Sequence, residues 1–290
     1  MAETEPQSLF VQHEGDEAAM RIAVRANGRA GDRCGVVWLG GFKSDMAGTK
    51  ANALAQWADR RQRSFVRFDY SGHGESSGDF ASGTIGRWRD EAREVLERYG
   101  MGPQILVGSS MGAWIALLLA QAEANKVGIR RIAGLVLVAP ATDFTEELFW
   151  NALSAEEREK LLAEGVLARP SQYDEEPYAF TRGLIEEGRQ HLLLGGKIDI
   201  KVPVRILQGM ADKDVPWRHA IRTAEALVGG NVVTTLVKDG DHRLSRPQDI
   251  ARLTRLIDEF GGEIESASGI KPPGPRTIVS TPRGRSESAK

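Results

Sequence analysis

Gln104-Ile-Leu-Val-Gly-Ser-Ser110-Met-Gly112-Ala-Trp-Ile-Ala-Leu-Leu-Leu119 is the stretch on which the fold turns. It opens as an apolar run of strand length and closes as a helix former, with only Gly108 to Gly112 between. A strand that passes into a helix through so short a turn belongs to a parallel sheet, whose strands are buried on both faces. The turn reads G-x-S-x-G. A serine there sits on a strained backbone, and the residues two before and two after it must lack a Cβ that would collide. Ser110 has Gly108 and Gly112 at those offsets, whereas Ser109 has Val107 and Met111, so the register selects Ser110 as candidate nucleophile. The plain alternative is a Gly/Ser-rich turn with no chemistry.

Outward from this turn, short β-branched runs alternate with helical patterns. Strands are expected at 20–24, 35–39, 65–70, 104–108, 134–138, 204–208 and 231–237. Helices are expected at 49–61, 84–99, 111–124, 217–228 and 247–260. The alternation predicts a mostly parallel sheet flanked by helices, with an antiparallel start where two strands follow without a helix between them. Residues 143–200 exceed one crossover. Ser154-Ala-Glu-Glu157 has capping-box spacing ahead of a helix that Pro170 is expected to stop, and a second helical pattern runs over 178–194. This predicts a small helical cap inserted in one domain spanning 1–262. The Pro/Gly-rich residues from 261 onward, and 263–290 in particular, are expected to be a disordered tail.

Proteins built around this turn place their acid and base after the serine, in the order Asp or Glu, then His. After the 204–208 strand comes Gly209-Met-Ala-Asp212-Lys-Asp214-Val-Pro-Trp217. Asp212 is favoured as the acid because it lies nearer the strand end, and Asp214 reads as a loop or N-cap residue. His242 follows the last strand in Asp239-Gly-Asp-His242 and is the candidate base. His219 and His191 fall in helices and read as surface residues; His73, in a glycine-rich turn, reads as structural. Two main-chain N–H groups are candidate oxyanion donors: Met111 at a helix start, and Phe42 after Gly40-Gly41. Those glycines would equally serve a simple tight turn.

The chain is 41% hydrophobic and 27% charged, with a formal net charge of −2, which gives no reason to expect nucleic acid as a partner. Five dispersed histidines and no HExxH or Cys/His cluster argue against a metal, and none is expected; nor is an organic cofactor. Cys34 is the only cysteine, and the longest apolar stretch, 113–120, is far short of a membrane span. The acidic N-terminus resembles neither a signal nor a transit peptide, so the expected location is cytoplasmic.

Several runs carry a resemblance: Met46-Ala-Gly-Thr-Lys50, Arg67-Phe-Asp-Tyr-Ser-Gly72, Gly102-Pro-Gln-Ile-Leu-Val-Gly-Ser-Ser110, Asp212 through Val-Pro-Trp217, and Asp241-His-Arg243. Together they resemble the α/β-hydrolase superfamily, in the branch of α/β-hydrolase domain-containing protein ten (palmitoyl-protein thioesterase and acyl-glucuronide esterase) and its bacterial relatives. The resemblance implies an α/β-hydrolase fold and a triad on Ser110, Asp212 and His242. It implies hydrolysis of an acyl ester or thioester, with a small molecule or an acylated protein as substrate. The leading reading is thioester or ester cleavage through an acyl-Ser110, with Phe149, Trp150, Tyr173 and Phe180 as acyl-pocket candidates or as ordinary cap packing. A general short-chain carboxylesterase or acyl-glucuronide esterase is the alternative, and a silent hydrolase-fold binding protein is the alternative of another class. Dehalogenases and epoxide hydrolases are disfavoured because they place Asp where Ser110 stands.

Overall fold

The computed structural model describes residues 5–28, 33–124, 131–170 and 177–269. In chain order its strands are β1 (Gln7–Val11), β2 (Met20–Ala26), β3 (Gly35–Leu39), β4 (Phe65–Phe68), β5 (Gln104–Ser109), β6 (Ile132–Val138), β7 (Val166–Arg169), β8 (Tyr178–Thr181), β9 (Val204–Gly209) and β10 (Val232–Val237). Its α-helices are α1 (Thr49–Arg61), α2 (Ile85–Tyr99), α3 (Met111–Ala124), α4 (Ala155–Glu164), α5 (Arg182–Gly188), α6 (Trp217–Ala226) and α7 (Pro247–Ala267). Eight strands form one sheet in the order β1-β2-β4-β3-β5-β6-β9-β10. β2 is antiparallel to both its neighbours, and every other pairing in that sheet is parallel, as the sequence implied.

Strand residues alternate between two cores, as a two-residue side-chain period requires. Val37, Leu39, Leu106, Leu135, Leu137 and Ile206 face α2, α3 and α6. Val36, Trp38, Ile105, Val107, Val136 and Leu207 face α1 and α7. With both faces covered, the central strands need no polar face, which is why they read as unbroken apolar runs. The loops that follow β3, β4, β5, β6, β9 and β10 leave the carboxyl ends of parallel strands, so they converge on one edge of the sheet, and the candidate site residues lie on them.

Three expectations change. β1 is an additional edge strand; its exposed residues, Phe10 among them, gave no apolar pattern to read. α7 runs past Gly261 and Gly262 to Ala267, where the tail was expected to begin. The reason is burial: Ile264 joins the α1/α7 core, and Glu265 pairs with the buried Arg63 and accepts the Cys34 N–H at 3.0 Å. The remainder of the expected tail, 270–290, lies outside the described residues. The insertion over 143–200 is not wholly helical. Ser154 and Glu157 do form the capping box of α4, but the helix ends at Gly165 in a left-handed C-cap, ahead of Pro170. The antiparallel ribbon β7–β8 follows, too short for its alternation to be told from a helical pattern. Phe149, Leu153, Leu161, Leu167 and Ile185 give this cap a small core of its own.

Candidate active site

Ser110 sits between β5 and α3 at φ +55°, a left-handed conformation that costs a non-glycine residue about 1–2 kcal/mol. The surrounding chain enforces it. The Ser110 N–H donates to the Val138 carbonyl at 2.9 Å, and its own carbonyl accepts from Ala113 and Ala141. The flanking glycines are sterically required: a methyl at Gly112 would lie 2.2 Å from the Leu39 carbonyl oxygen, and one at Gly108 2.4 Å from that of Gly112. Met111 opens α3, so its N–H has no partner within the helix and lies at the positive end of its dipole.

Asp212 follows β9 with its carboxylate fully buried, and His242 follows β10. Oδ1 of Asp212 accepts the Asp214 and Val215 N–H groups at 2.9 and 2.8 Å. Its Oδ2 accepts from Gln208 Nε2 at 3.0 Å and from His242 Nδ1 at 2.8 Å. A carboxylate can only accept, so Nδ1 carries the imidazole proton and Nε2 is the basic nitrogen. Of the two aspartates weighed in the sequence, Asp212 is the one bonded to the imidazole Nδ1. Gln208 was not foreseen as its second partner.

Ser110 and His242 line one cavity of about 980 Å³, together with Phe42 and Met111. One wall is aromatic: Phe42 stacks on Phe180 at 5.2 Å between centroids, and Phe180 stacks on Phe149 at 3.8 Å. Phe149 and Phe180 therefore line the cavity as well as the cap's core. Trp150 instead lies against the guanidinium groups of Arg158 and Arg189, and Tyr173 is outside the described residues. Lys50, from the first turn of α1, also lines the cavity and donates to the Arg243 carbonyl at 2.5 Å. Burial, with the Arg243 charge nearby, brings its pKa down to about 8.

The other histidines separate as follows. His73 is buried among aromatic rings. His191 pairs with Glu187 at 2.6 Å. His219 is not on the surface; it is 5% exposed and bonds the Thr142 carbonyl at 2.7 Å, because α6 lays that face against the β6 loop. Asp212, Asp214 and His242 place possible ligand atoms within 4.8 Å of one another. However, the Asp212 carboxylate already accepts four hydrogen bonds, its full lone-pair capacity, so a metal there would have to displace them.

Residues 36–253 match the family model described as alpha/beta hydrolase family, and the chain belongs to that family. It is a hydrolase acting on ester or thioester bonds. Within the family it is similar to the proteins named palmitoyl-protein thioesterase ABHD10, mitochondrial: 37% identical to that of Bos taurus over 78% of this chain and 72% of the relative. The mouse α/β-hydrolase domain-containing protein 10 structure superposes with a TM-score of 0.78 at 32% identity, over 89% of this chain and 99% of the other. A putative hydrolase from Agrobacterium vitis S4 reaches a TM-score of 0.84 at 46% identity, over 88% and 98%. The cytoplasmic location expected from the sequence is corrected by these comparisons: the matched curated relatives are all named mitochondrial. No helix among the described residues is long and apolar enough to cross a membrane.

Proposed function

We propose that this chain is a palmitoyl-protein-thioesterase-like serine hydrolase working through an acyl-Ser110 intermediate. The observation that carries the reading is the joint geometry of the site. A strained serine at a strand-to-helix turn shares an aromatic-walled cavity with an imidazole whose Nδ1 is held by a buried carboxylate. In this reading His242 Nε2 takes the Ser110 hydroxyl proton as Oγ attacks the acyl carbonyl. The Phe42 and Met111 N–H groups stabilise the resulting oxyanion, each worth about 3 kcal/mol in the transition state. His242 then returns the proton to the departing thiolate or alkoxide. Water, deprotonated by the same imidazole, releases the fatty acid and restores Ser110.

The aromatic wall favours a long acyl chain, and the names of the mammalian relatives point to palmitoyl thioesters. The test is hydrolysis of paired acyl thioesters and oxygen esters from short to palmitoyl length, with Ser110→Ala alongside. Activity that peaks on long-chain thioesters and disappears in the variant is the expected result. Activity confined to short esters would move the function to a general carboxylesterase, and equal rates in both proteins would remove Ser110 from the chemistry.

A further inference from the structure

The Phe42 N–H can serve an oxyanion only if its peptide is held in one orientation, and it lies in the connection between β3 and α1. Two contacts bear on its 41–43 main chain. The Gly41 carbonyl accepts from the Ser44 N–H at 3.2 Å and from the Ser44 hydroxyl at 2.8 Å. In a planar trans peptide the C=O and N–H point in opposite directions, so tying Gly41 O to Ser44 turns the Phe42 N–H to the other side. The loop is also close to the nucleophile: a methyl at Gly41 would lie 3.4 Å from Ser110 Cβ.

The second contact comes from the connection after β4. The Lys43 N–H donates to His73 Nε2 at 3.1 Å, with Lys43 in the left-handed region at φ +54°. His73 Nδ1 meets the Ser71 carbonyl at 3.1 Å, which places the proton on Nδ1 and leaves Nε2 the acceptor that Lys43 needs. The ring is wedged against Phe80 and Trp88, both at 5.1 Å between centroids, and Phe42 packs on the same two rings at 4.8 and 6.0 Å. Burial lowers the pKa of His73, keeping the neutral acceptor form.

We infer that His73 and Ser44 are positioning residues for the oxyanion hole, fixing the 41–43 main chain so that the Phe42 N–H is presented beside Ser110. The inference rests on the reading of Ser110 and Phe42 given above. His73 lies outside the cavity lining and Ser44 at its exposed edge, and both act through one main-chain amide.

The experiment compares wild type, Ser110→Ala, His73→Leu, His73→Gln and Ser44→Ala on one acyl thioester. Rates of wild type and of the His73 and Ser44 variants are expressed per active site, counted by the endpoint stoichiometry of a fluorophosphonate probe, and that of Ser110→Ala per mole of protein. Losing a whole oxyanion donor costs about 10²–10³ in kcat, so a donor left misaligned should cost roughly 10- to 50-fold in His73→Leu and a few-fold in Ser44→Ala, with KM within about two-fold. His73→Gln, whose amide oxygen can accept the Lys43 N–H, should recover most of that loss. Ser44 is exposed, so its variant reads the same loop without disturbing the core. A purely structural His73 would lower the number of probe-reactive sites and leave kcat per site unchanged; that result, with Ser44→Ala at wild-type kcat, overturns the inference. Wild-type turnover equal to Ser110→Ala would instead overturn the underlying serine-hydrolase reading, and the inference with it.

Discussion

Asp212→Asn should abolish most activity by reversing a tautomer while leaving the site assembled. Two main-chain donors, Asp214 N–H and Val215 N–H, hold Oδ1, so the asparagine oxygen must stay on that side. Its NH2 then replaces Oδ2 and points at two groups that were donating to it, Gln208 Nε2 and His242 Nδ1. Gln208 cannot relieve the clash by turning its amide over, because Nε2 also donates to the Gly209 and Val215 carbonyls. His242 can adapt only by moving its proton to Nε2, the nitrogen that has to receive the Ser110 proton. Tautomer reversal of this kind costs about 10⁴ in kcat, close to 5.5 kcal/mol of barrier. The lost buried, charge-assisted bonds should remove about 1.5–3 kcal/mol of stability, a fall in Tm of roughly 3–12 °C for a domain of this size. Steady-state kinetics on a long-chain acyl thioester, with thermal melts and Asp214→Asn as control, reads both effects. Asp214→Asn should cost no more than a few-fold. Activity of Asp212→Asn within ten-fold of wild type, or a larger loss in Asp214→Asn, would refute the reasoning.

Three further expectations concern the framework. Gly112→Ala drives a methyl to 2.2 Å from a main-chain oxygen of β3 and should cost at least about 1–3 kcal/mol or prevent folding; an unchanged melting curve would show that the elbow has slack. Glu265→Ala leaves the fully buried Arg63 guanidinium without its carboxylate and should destabilise by about 3–5 kcal/mol in chemical denaturation, whereas Glu265→Gln should cost less. Burial holds His219 below its ordinary value, so the unfolded chain binds a proton that the native protein resists; its stability contribution is present above about pH 6.5 and lost as pH falls through the lower folded value. The difference in Tm between wild type and His219→Gln should therefore shift against wild type from pH 7.5 to 5, and a constant difference would show that His219 does not titrate in this range.

The sheet was legible because its strands are buried on both faces and therefore lack polar interruptions, and because Gly108 and Gly112 answer a collision that only glycine avoids. That Asp212 and His242 come together could be anticipated from their places after β9 and β10, since chain order and strand ends bring those loops to one edge of the sheet. What stayed hidden depends on partners distant in sequence. Nothing local marks Glu265 as the counter-ion of Arg63, so Gly261 and Gly262 looked like the end of the fold. His219 looked like a helix-surface residue because its acceptor, the Thr142 carbonyl, sits on another loop. The β7–β8 ribbon owes its form to pairing between two four-residue segments that have no periodicity of their own. Lys43 pairing with His73 is likewise a contact between two loops, invisible to spacing.

The most direct test of the central claim is to find where the acyl group goes. Wild-type protein is mixed with a palmitoyl thioester, quenched in acid during turnover, digested, and its peptides analysed by mass spectrometry. The account predicts a palmitoyl adduct on Ser110, in the peptide containing Val107-Gly-Ser-Ser-Met-Gly112, that forms and decays with turnover and is absent from Ser110→Ala. Turnover that persists in Ser110→Ala, or a transient adduct on another residue such as Lys50, would contradict it.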